Sequence, residues 1–340
     1  MTEKLILIDG SSLLSTHYYG MLPKPILFAK TEEEREKHYG KILQNKKGQF
    51  TNGAFGMTKA MLKLIREQKP THLAVAWDIS RKTTFRREAY AEYKGTRGET
   101  PYPLKEQFPL MQELLGRLGI AQFMHAEYEA DDYLGTLSRK FEKEIPTYIL
   151  TKDRDALQLV SDHTRLWLMQ TSEDKAKELC QSYYPEGPEF NILRNCFELT
   201  PQIVKAEFGV HPDCCVMLKA LTGDASDNIP GVKGVGAASA VPLVNEYRTI
   251  DNLYADIENI DGKEEKEIKA FWKEYLGISR SPLSFLLKDG AREAAKMSEF
   301  LGTIKTDIPV EASLDDLKIN ICETEMKECF EELEFLSLIL

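Results

Sequence analysis

Acidic residues recur directly after short apolar segments in the first half of the chain. The apolar segments are 5–8, 73–77, 120–124 and 147–150, and the acids that follow them are Asp9, Asp78, Glu129, Asp131, Asp132, Asp153 and Asp155. If the segments are parallel strands, their carboxyl ends meet at one edge of a sheet, where open α/β proteins bind their ligands. Carboxylates gathered there repel each other unless cations lie among them.

The type of ligand indicates the type of cation. The acidic set contains no His or Cys, and hard oxygen ligands favour Mg²⁺ or Mn²⁺ over zinc. Two such ions can activate a water and stabilise the leaving oxygen in phosphodiester hydrolysis. Each acid alone also has an ordinary explanation, as a strand-end turn, a helix N-cap or a first-turn acid. Their joint occurrence at one sheet edge favours the metal site.

A second group of polar residues lies near residue 225. Asp224 and Asp227 stand in Gly-Asp-Ala-Ser-Asp-Asn and precede Gly-Val-Lys-Gly-Val-Gly, which predicts a helix-hairpin-helix between two helices. Glycines in such a turn let backbone N–H groups approach a phosphate, which gives DNA contact independent of base sequence. A plain glycine turn between helices is the alternative. The predicted contact residues are Gly231, Val232, Lys233, Gly234 and Gly236.

The elements that must position these residues change in type along the chain. Apolar strand-like runs, with a fifth at 165–169, alternate with helical stretches at 54–67, 104–118 and 130–144, so an α/β sheet with helices on both faces is predicted. From about residue 195 onward the pattern is helical, apart from a candidate strand at 318–321. Three segments, 23–50, 170–195 and 256–269, are expected to be insertions or loops.

Composition excludes some classes of protein. The chain has 340 residues and a formal net charge of −10, and its six cysteines show no CxxC spacing, which is typical of reduced thiols. With no apolar run of about 18 residues and no signal-peptide pattern, a cytoplasmic protein without membrane contact is expected. The net charge argues against nucleic-acid binding at first sight. However, metal would offset the acids, and residues 81–97 are locally basic.

The ordered motifs resemble one family closely, the 5′-nuclease domain of bacterial DNA polymerase I, with phage 5′-exonucleases and flap endonucleases as relatives. The matching stretches begin with Ile-Asp-Gly-Ser-Ser at residues 8–12 and Trp-Asp at 77–78. They continue with Phe-Arg at 85–86, Glu-Tyr-Lys-Gly-Thr-Arg at 92–97, Tyr-Glu-Ala-Asp-Asp at 128–132, Leu-Thr-Lys-Asp-Arg-Asp at 150–155 and residues 219–236. They cover most of the first 245 residues.

The resemblance implies a PIN-like or Rossmann-like nuclease domain over 1–195, a helix-hairpin-helix domain over 196–300 and a segment 301–340 that packs back on the nuclease. It implies a 5′-3′ exonuclease or flap endonuclease without an attached polymerase, acting on DNA with 5′ ends, flaps, nicks or gaps. RNA primers are a further candidate substrate, and protein partners are not indicated. A helical arch over about 81–109 would let a single 5′ strand pass above the metals.

Residue roles follow from the same resemblance. Asp9, Asp78, Glu129 and Asp131 would serve a first ion, and Asp153, Asp155, Asp224 and Asp227 a second, with Asp131 between them and Asp132 as the ninth acid. Lys94 and Arg97 would meet the scissile phosphate, with Arg86 on the same approach, and Tyr93 would stack on a base. A monovalent cation is expected at the hairpin.

The chain departs from the family pattern in several places. Ser15 and Thr16 replace a Tyr-Arg pair, Ala238 stands where a basic residue is usual, and Pro242 interrupts the helix after the hairpin. The segment 23–50 is longer than the corresponding loop. The competing interpretations are a paralogue that binds branched DNA with little cleavage, an RNA-cleaving PIN nuclease, and a phosphatase using Asp153 and Asp155. The full acidic set disfavours the paralogue and the phosphatase. The hairpin domain and the arch with Lys94 and Arg97 favour structured DNA over the RNA substrates of a PIN nuclease.

Overall fold

A computed structural model describes residues 3–80, 82–186 and 192–339. Its centre is a six-stranded sheet in the order β3-β2-β1-β4-β5-β6, in which β1 to β5 are parallel and β6 is antiparallel to β5. The strands are β1 (Leu5–Asp9), β2 (His72–Ala76), β3 (Ala121–Phe123), β4 (Thr147–Thr151), β5 (Thr164–Met169) and β6 (Cys196–Leu199). The first five match the predicted segments, and β6 is a strand that the sequence did not indicate.

The central strands form because their residues are apolar on both faces. All five residues of β1 and of β2 are buried, as expected for strands covered by helices on each side. Alternate residues of these strands enter two separate clusters: Ile6 and Ile8 join one, and Leu5 and Leu7 join the other. The predicted fold class, a mostly parallel sheet with helices on both faces and a helical second domain, is confirmed.

Nine helices among the described residues belong to the part of the chain that builds the sheet. They are α1 (Gly10–Gly20), α2 (Lys24–Leu27), α3 (Glu32–Glu36), α4 (Asn52–Gln68), α5 (Phe85–Ala89), α6 (Tyr102–Lys105), α7 (Gln107–Arg117), α8 (Ala130–Phe141) and α9 (Glu173–Tyr183). Short 3₁₀ helices occur at Tyr39–Lys41 and Arg154–Leu159. The predicted loop 23–50 therefore holds α2 and α3, and the predicted loop 170–195 holds α9, while its residues 187–191 lie outside the described residues.

The predicted arch is less helical than the resemblance implies. Between β2 and α7 the structure has the short helices α5 and α6, joined by a turn over residues 91–96 and an extended stretch. The first arch residue, Arg81, lies outside the part of the chain that is described. The turn packs on the second domain, where Tyr93 forms a small apolar cluster with Ile229 and Leu301.

The second domain is helical. Its helices are α10 (Pro201–Phe208), α11 (Cys215–Thr222), α12 (Ala237–Tyr247), α13 (Ile250–Ile257), α14 (Gly262–Glu274), α15 (Leu283–Leu286) and α16 (Ala291–Gly302), and α17 (Glu323–Glu332) follows. The expectation of a loop at 256–269 is wrong, because α14 covers most of it. Asp261 and Glu264 form a capping box at its start, and Trp272 anchors it in the core.

Residues after α16 return to the sheet domain. Ile304 and Ile308 enter the cluster under α8, while Phe330 and Phe335 enter the cluster on the opposite face. The predicted strand at 318–321 is wrong, since only a single bridge between His72 and Lys318 forms there. No helix among the described residues is long and apolar enough to cross a membrane.

Candidate metal centre

The acids at the carboxyl edge of the sheet are held in place by backbone amides and a hydroxyl. Asp9 ends β1, and its carboxylate accepts from Ser12 N at 2.8 Å and from the Thr151 hydroxyl at 2.7 Å. Asp78 follows β2 and accepts from Ala130 N at 2.9 Å. Because β2, β1 and β4 are neighbours in the sheet, these contacts bring the ends of three strands and the start of α8 together.

Burial and mutual repulsion both act on the carboxylates at the sheet edge. Burial, followed by the charge of Asp78, raises the pKa of Asp9 from 3.8 to about 6. Burial, followed by the charge of Asp153, raises the pKa of Asp155 to about 6. For Asp131, burial together with Asp153 and Asp9 raises the pKa well above 3.8. The sheet edge therefore collects negative charge that is costly without a cation.

Asp131 carries the clearest indication of what fits the site. Its Oδ1 atom is buried and has no hydrogen-bond partner among the described residues. A buried carboxylate oxygen without a partner is costly, and it is suited to a hard cation, which takes oxygen ligands. The residues around it are carboxylates, so the set fits Mg²⁺ or Mn²⁺ better than zinc.

Basic side chains lie among the acids. Lys94 Nζ contacts Glu129 at 2.7 Å and Asp227 at 4.0 Å, and Arg97 also pairs with Asp227. Burial opposes the charge of Lys94, but Glu129 and Asp227 hold its pKa well above the ordinary value. Lys94 also has a positive φ of 53°, and its N–H donates to Asp227 O at 2.8 Å. The two predicted phosphate-binding residues thus lie at the acidic edge, where they join the arch to the second domain.

Lys219 is a site residue whose role the sequence did not indicate. Its ammonium pairs with Asp155 and lies 2.8 Å from Asp224 Oδ2. Although burial raises the pKa of Asp224, hydrogen bonds from Lys219 and Ser226 lower it to about 2. Lys219 stands five residues before Asp224 on α11, inside the matched motif, and that position was the available signal.

The acids at the carboxyl edge of the sheet are paired with lysines and do not enclose a common centre. Within the described part of the chain, no three Asp, Glu, His or Cys side chains converge closely enough to enclose a metal ion. Lys94 and Lys219 each bridge two acids that the sequence assigns to metal. The two ammonium groups therefore lie between these acids in this structure.

Two predicted site residues, Asp132 and Arg86, form a buried ion pair with each other. Asp132 is fully buried, and its carboxylate accepts from both terminal nitrogens of Arg86, at 2.9 and 2.7 Å, as well as from two backbone amides. Arg86 is only 2% exposed and donates to Asp132, Glu129 and the carbonyl of Thr303. In this structure Asp132, expected among the metal-site acids, is therefore taken up by protein donors, and Arg86, expected on the approach to the scissile phosphate, is buried.

Tyr93 is also placed differently from the expectation. Its ring is 3% exposed, and its hydroxyl donates to Glu129 Oε2 at 3.1 Å. A buried ring cannot stack on a base, so the predicted contact with DNA is not available in this conformation. Tyr93 instead anchors the arch turn beside Glu129.

In the hairpin between α11 and α12, two of the backbone amides predicted to contact DNA are hydrogen-bonded within the protein. Gly231 N donates to Ser298 Oγ at 2.9 Å, and Val232 N donates to Leu221 O at 2.9 Å. These two amides are therefore not free to bind phosphate. Lys233, Gly234 and Gly236 are exposed, and α12 starts after Gly236 without a side-chain cap. Helix α12 continues through Pro242 to Tyr247.

Two family models match the chain. Residues 4–184 match a domain described as 5′-3′ exonuclease, N-terminal resolvase-like domain, and residues 210–325 match 5′-3′ exonuclease, C-terminal SAM fold. The chain is 36% identical to DNA polymerase I of Bacillus caldotenax, over 100% of this chain and 32% of that protein. It thus spans about a third of the length of that relative.

A relative of more similar length is a 5′-3′ exonuclease of Halalkalibacterium halodurans. It is 36% identical to this chain over 76% of the chain and 75% of the relative. Among solved structures, bacteriophage T5 5′-exonuclease with bound zinc has a TM-score of 0.53 at 17% identity, covering 97% of this chain and 99% of that one. A T5 flap endonuclease complex with DNA and metal ions has a TM-score of 0.51 at 17% identity, covering 98% of this chain and all of that one. At such identities these structures establish the likeness of fold.

Proposed function

Because the chain belongs to the 5′-3′ exonuclease family, we propose that it is a divalent-metal-dependent nuclease that cuts DNA at 5′ ends, flaps, nicks or gaps. The proposal extends to this chain an activity named for its relatives. Its substrates are proposed to be DNA strands with a free 5′ end, and its ions to be two Mg²⁺ or Mn²⁺.

The observation that carries this proposal is the acidic edge around Asp131. A buried carboxylate oxygen without a partner, surrounded by acids that raise each other's pKa, is what a cation site requires. The acids proposed to hold the ions are Asp9, Asp78, Glu129, Asp131, Asp153, Asp155, Asp224 and Asp227. A binding protein without catalysis would gain nothing from this self-repelling set.

The chain's own residues then have distinct roles. Bound at the acidic edge, two divalent ions would activate a water and stabilise the leaving oxygen. Lys94 and Arg97 lie beside the acids with exposed fractions of 11% and 37% for their side chains, so they can turn from Glu129 and Asp227 to an incoming phosphate. Both stay positively charged in this environment and can stabilise charge on that phosphate.

The hairpin is proposed to hold duplex DNA by its phosphates. Lys233 is exposed beside Gly234, and no side chain caps the first amides of α12. Such amides and one lysine attract a phosphate without reading bases. A monovalent cation at the hairpin stays a prediction.

A cleavage panel tests the proposed function. Flap, nicked, gapped and single-stranded DNA with labelled 5′ ends are incubated with Mg²⁺, Mn²⁺, Zn²⁺ or excess chelator. We expect cutting of the flap and nicked substrates with Mg²⁺ or Mn²⁺ and none with chelator. Undiminished cutting in chelator would rule out the metal mechanism. Binding of branched DNA without cutting under any metal would instead support the non-catalytic paralogue.

A further inference from the structure

A buried polar junction lies beneath the acidic edge and joins three segments that are distant in sequence. Its centre is Arg86 on α5, which donates to Glu129 Oε2 at 3.0 Å, to both oxygens of Asp132, and to Thr303 O at 2.6 Å. The arch, the start of α8 and the segment after α16 thus meet at one guanidinium.

Asp132 completes the junction and has no capacity left for a metal ion. Its Oδ1 accepts from Arg86 and from Lys305 N at 2.8 Å, and its Oδ2 accepts from Arg86 and from Glu129 N at 3.0 Å. Each oxygen therefore has two donors, which uses all four lone-pair directions of the carboxylate. The Nε of Arg86 has no hydrogen-bond partner among the described residues, so the bonds of its two terminal nitrogens hold the guanidinium. A buried ion pair of this kind fixes geometry, because moving either partner would leave a buried charge uncompensated.

Glu129 is oriented by the same part of the arch. Its Oε2 accepts from Arg86 and from the Tyr93 hydroxyl, and its Oε1 accepts from Lys94 at 2.7 Å. All these donors lie between residues 86 and 94. We call residues 85–94 the arch base. If the arch base moved relative to α8, the Glu129 carboxylate would lose the contacts that set its direction.

The segment 302–305 extends the junction toward Asp155. The side chain of Gln158, on the 3₁₀ helix that carries Asp155, donates to Gly302 O at 2.9 Å and accepts from Ile304 N at 2.9 Å. Gly135 of α8 allows the close approach, since a Cβ there would lie 2.8 Å from Lys305 O. The segment therefore links the start of α8 to the helix that carries Asp155.

We propose that Arg86, Asp132 and the backbone of residues 302–305 form a positioning junction that holds Glu129 and the arch base in register with the metal ligands. Arg86 acts through Glu129 and does not contact the substrate. The proposal rests on the proposed function in one respect, the role of Glu129 as a metal ligand.

The test compares Arg86→Gln, Arg86→Lys and Asp132→Asn with wild type. Mn²⁺ affinity is measured by calorimetry on the full chain without DNA, and single-turnover cleavage is measured as a function of flap concentration. Loss of partners that orient a metal ligand typically costs about 10- to 100-fold in metal affinity. We expect Arg86→Gln to lose Mn²⁺ affinity in that range and to lose cleavage rate at saturating DNA, with little change in DNA affinity. Arg86→Lys should restore part of the metal affinity.

A matched control and an independent readout separate the outcomes. Arg117→Gln removes an arginine at the end of α7, paired with Glu325 and Glu332 and remote from the carboxyl edge of the sheet, and should change neither measurement. Hydrogen exchange of the metal-free chain should rise in residues 85–94 and 303–305 of Arg86→Gln and of Asp132→Asn. If wild type itself binds no Mn²⁺, the proposed function fails, and the exchange data still decide on the junction. The proposal is overturned if exchange is unchanged, or if Arg86→Gln weakens DNA binding while Mn²⁺ affinity stays at the wild-type value.

Discussion

The carboxylates at the acidic edge repel one another, and hydrogen bonds to nearby residues hold some of them in place. Asp9 is held by the amide of Ser12 and the hydroxyl of Thr151, and Asp78 by the amide of Ala130. These contacts keep the acids in place although their charges repel one another. Asp131 differs from both, since its Oδ1 has no partner in the described structure. Substitutions at Asp131 therefore separate the cost of the charge from the cost of lost contacts.

Replacing Asp131 by Asn should remove most of the cleavage rate and stabilise the metal-free fold. Loss of a residue that hydrogen-bonds to a metal ligand typically costs about 10- to 100-fold in activity. Loss of a ligand itself should reduce the cleavage rate by more than that. Neutral Asn avoids the burial of a charge and the repulsion from Asp153 and Asp9, which together raise the pKa of Asp131. The raised pKa means that this group's contribution to stability is present below its ordinary pKa and is lost as the pH rises through the folded value.

The stabilisation by Asp131→Asn should therefore grow with pH. Urea unfolding in chelator at about pH 4.5, 6 and 8 measures it, and Asp162→Asn, an exposed acid at the other end of the sheet, is the control. In the metal-free wild type, Asp9 and Asp155 should add to the loss of stability between about pH 4 and pH 6. A near wild-type cutting rate for Asp131→Asn would show that the acids are not the catalyst.

Lys94→Ala should slow cleavage without preventing folding or metal binding. Removing a donor that stabilises transition-state charge costs on the order of 10²–10³ in rate, about 2.7–4 kcal/mol. Glu129 keeps its bonds to Arg86 and Tyr93 and becomes free of the ammonium, so Mn²⁺ affinity should be equal or higher. Lys143→Ala, an exposed lysine just before β4, is the control. An unchanged single-turnover rate for Lys94→Ala would remove the lysine from the mechanism.

At the scale of elements, the glycines of the hairpin differ in what they do. One is required by the backbone of the turn, and another lies where a ligand could approach. Gly231 has a φ of +62°, and a Cβ there would lie 2.3 Å from Gly223 N. Around Gly236 a Cβ would meet no atom within 4 Å. The first glycine is thus needed for folding of the turn, whereas the second is open to solvent at the start of α12.

Gly231→Ala and Gly236→Ala should therefore behave differently. The first should destabilise the chain by more than about 1 kcal/mol, because a left-handed backbone and a backbone clash both oppose the methyl group. The second should leave the melting temperature unchanged and weaken DNA binding only modestly. Thermal unfolding and a salt titration of DNA binding measure the two effects. Equal melting temperatures for both variants would show that the close contact at Gly231 is absent in solution.

The extension 23–50 is another element whose parts differ in importance. Helix α3 has no buried residue, so it contributes little to packing. Ile26, Ile42 and Phe50 form a small buried cluster, and the Phe50 ring contacts those of Tyr39 and Tyr102. The expectation of a surface loop thus holds for α3, while the ends of the extension form a small core of their own.

Replacing residues 31–38 by a short Gly-Ser linker should leave cooperative unfolding and metal-dependent cutting intact. Phe50→Ala should cost about 3 kcal/mol, as is typical for truncation of a buried phenylalanine. Urea unfolding of the two variants gives the comparison, and the linker variant serves as the control for changes in the extension. Unfolding of the linker variant would mean that α3 is part of the core.

In the whole molecule, the second domain completes the site. Lys94 N donates to Asp227 O, and the Asn228 side chain donates to Glu92 O at 2.9 Å, so the turn before the hairpin rests on the arch. Lys219 and Asp224 face Asp155 of the sheet domain. Ions bound to acids from both domains would consequently stabilise the assembled fold.

Mg²⁺ or Mn²⁺ should raise the melting temperature of the wild type relative to chelator. A ligand that binds only the folded state at 100 times its Kd contributes about 2.7 kcal/mol. The gain should be much smaller in Asp131→Asn and unchanged in Asp162→Asn, which alters an exposed acid. Scanning calorimetry over a range of ion concentrations measures it. Equal gains in wild type and Asp131→Asn would place the bound ions away from the acidic edge.

The amino-acid sequence by itself determined the parallel strands, the acids at their ends and the hairpin, because these depend on local pattern and on the rule that parallel strands end at one edge. It missed β6, a short edge strand, and α14, whose charged start resembles a loop despite the capping box of Asp261 and Glu264.

Only the tertiary structure decided which polar residues face the site and which support it. The pairing of Arg86 with Asp132 spans 46 positions, and its bond to Thr303 spans 217. The contact of Tyr93 with Glu129 and the pairing of Lys219 with Asp155 also join distant parts of the chain. No local pattern encodes such contacts, since burial and the choice of partner are set by how the segments pack.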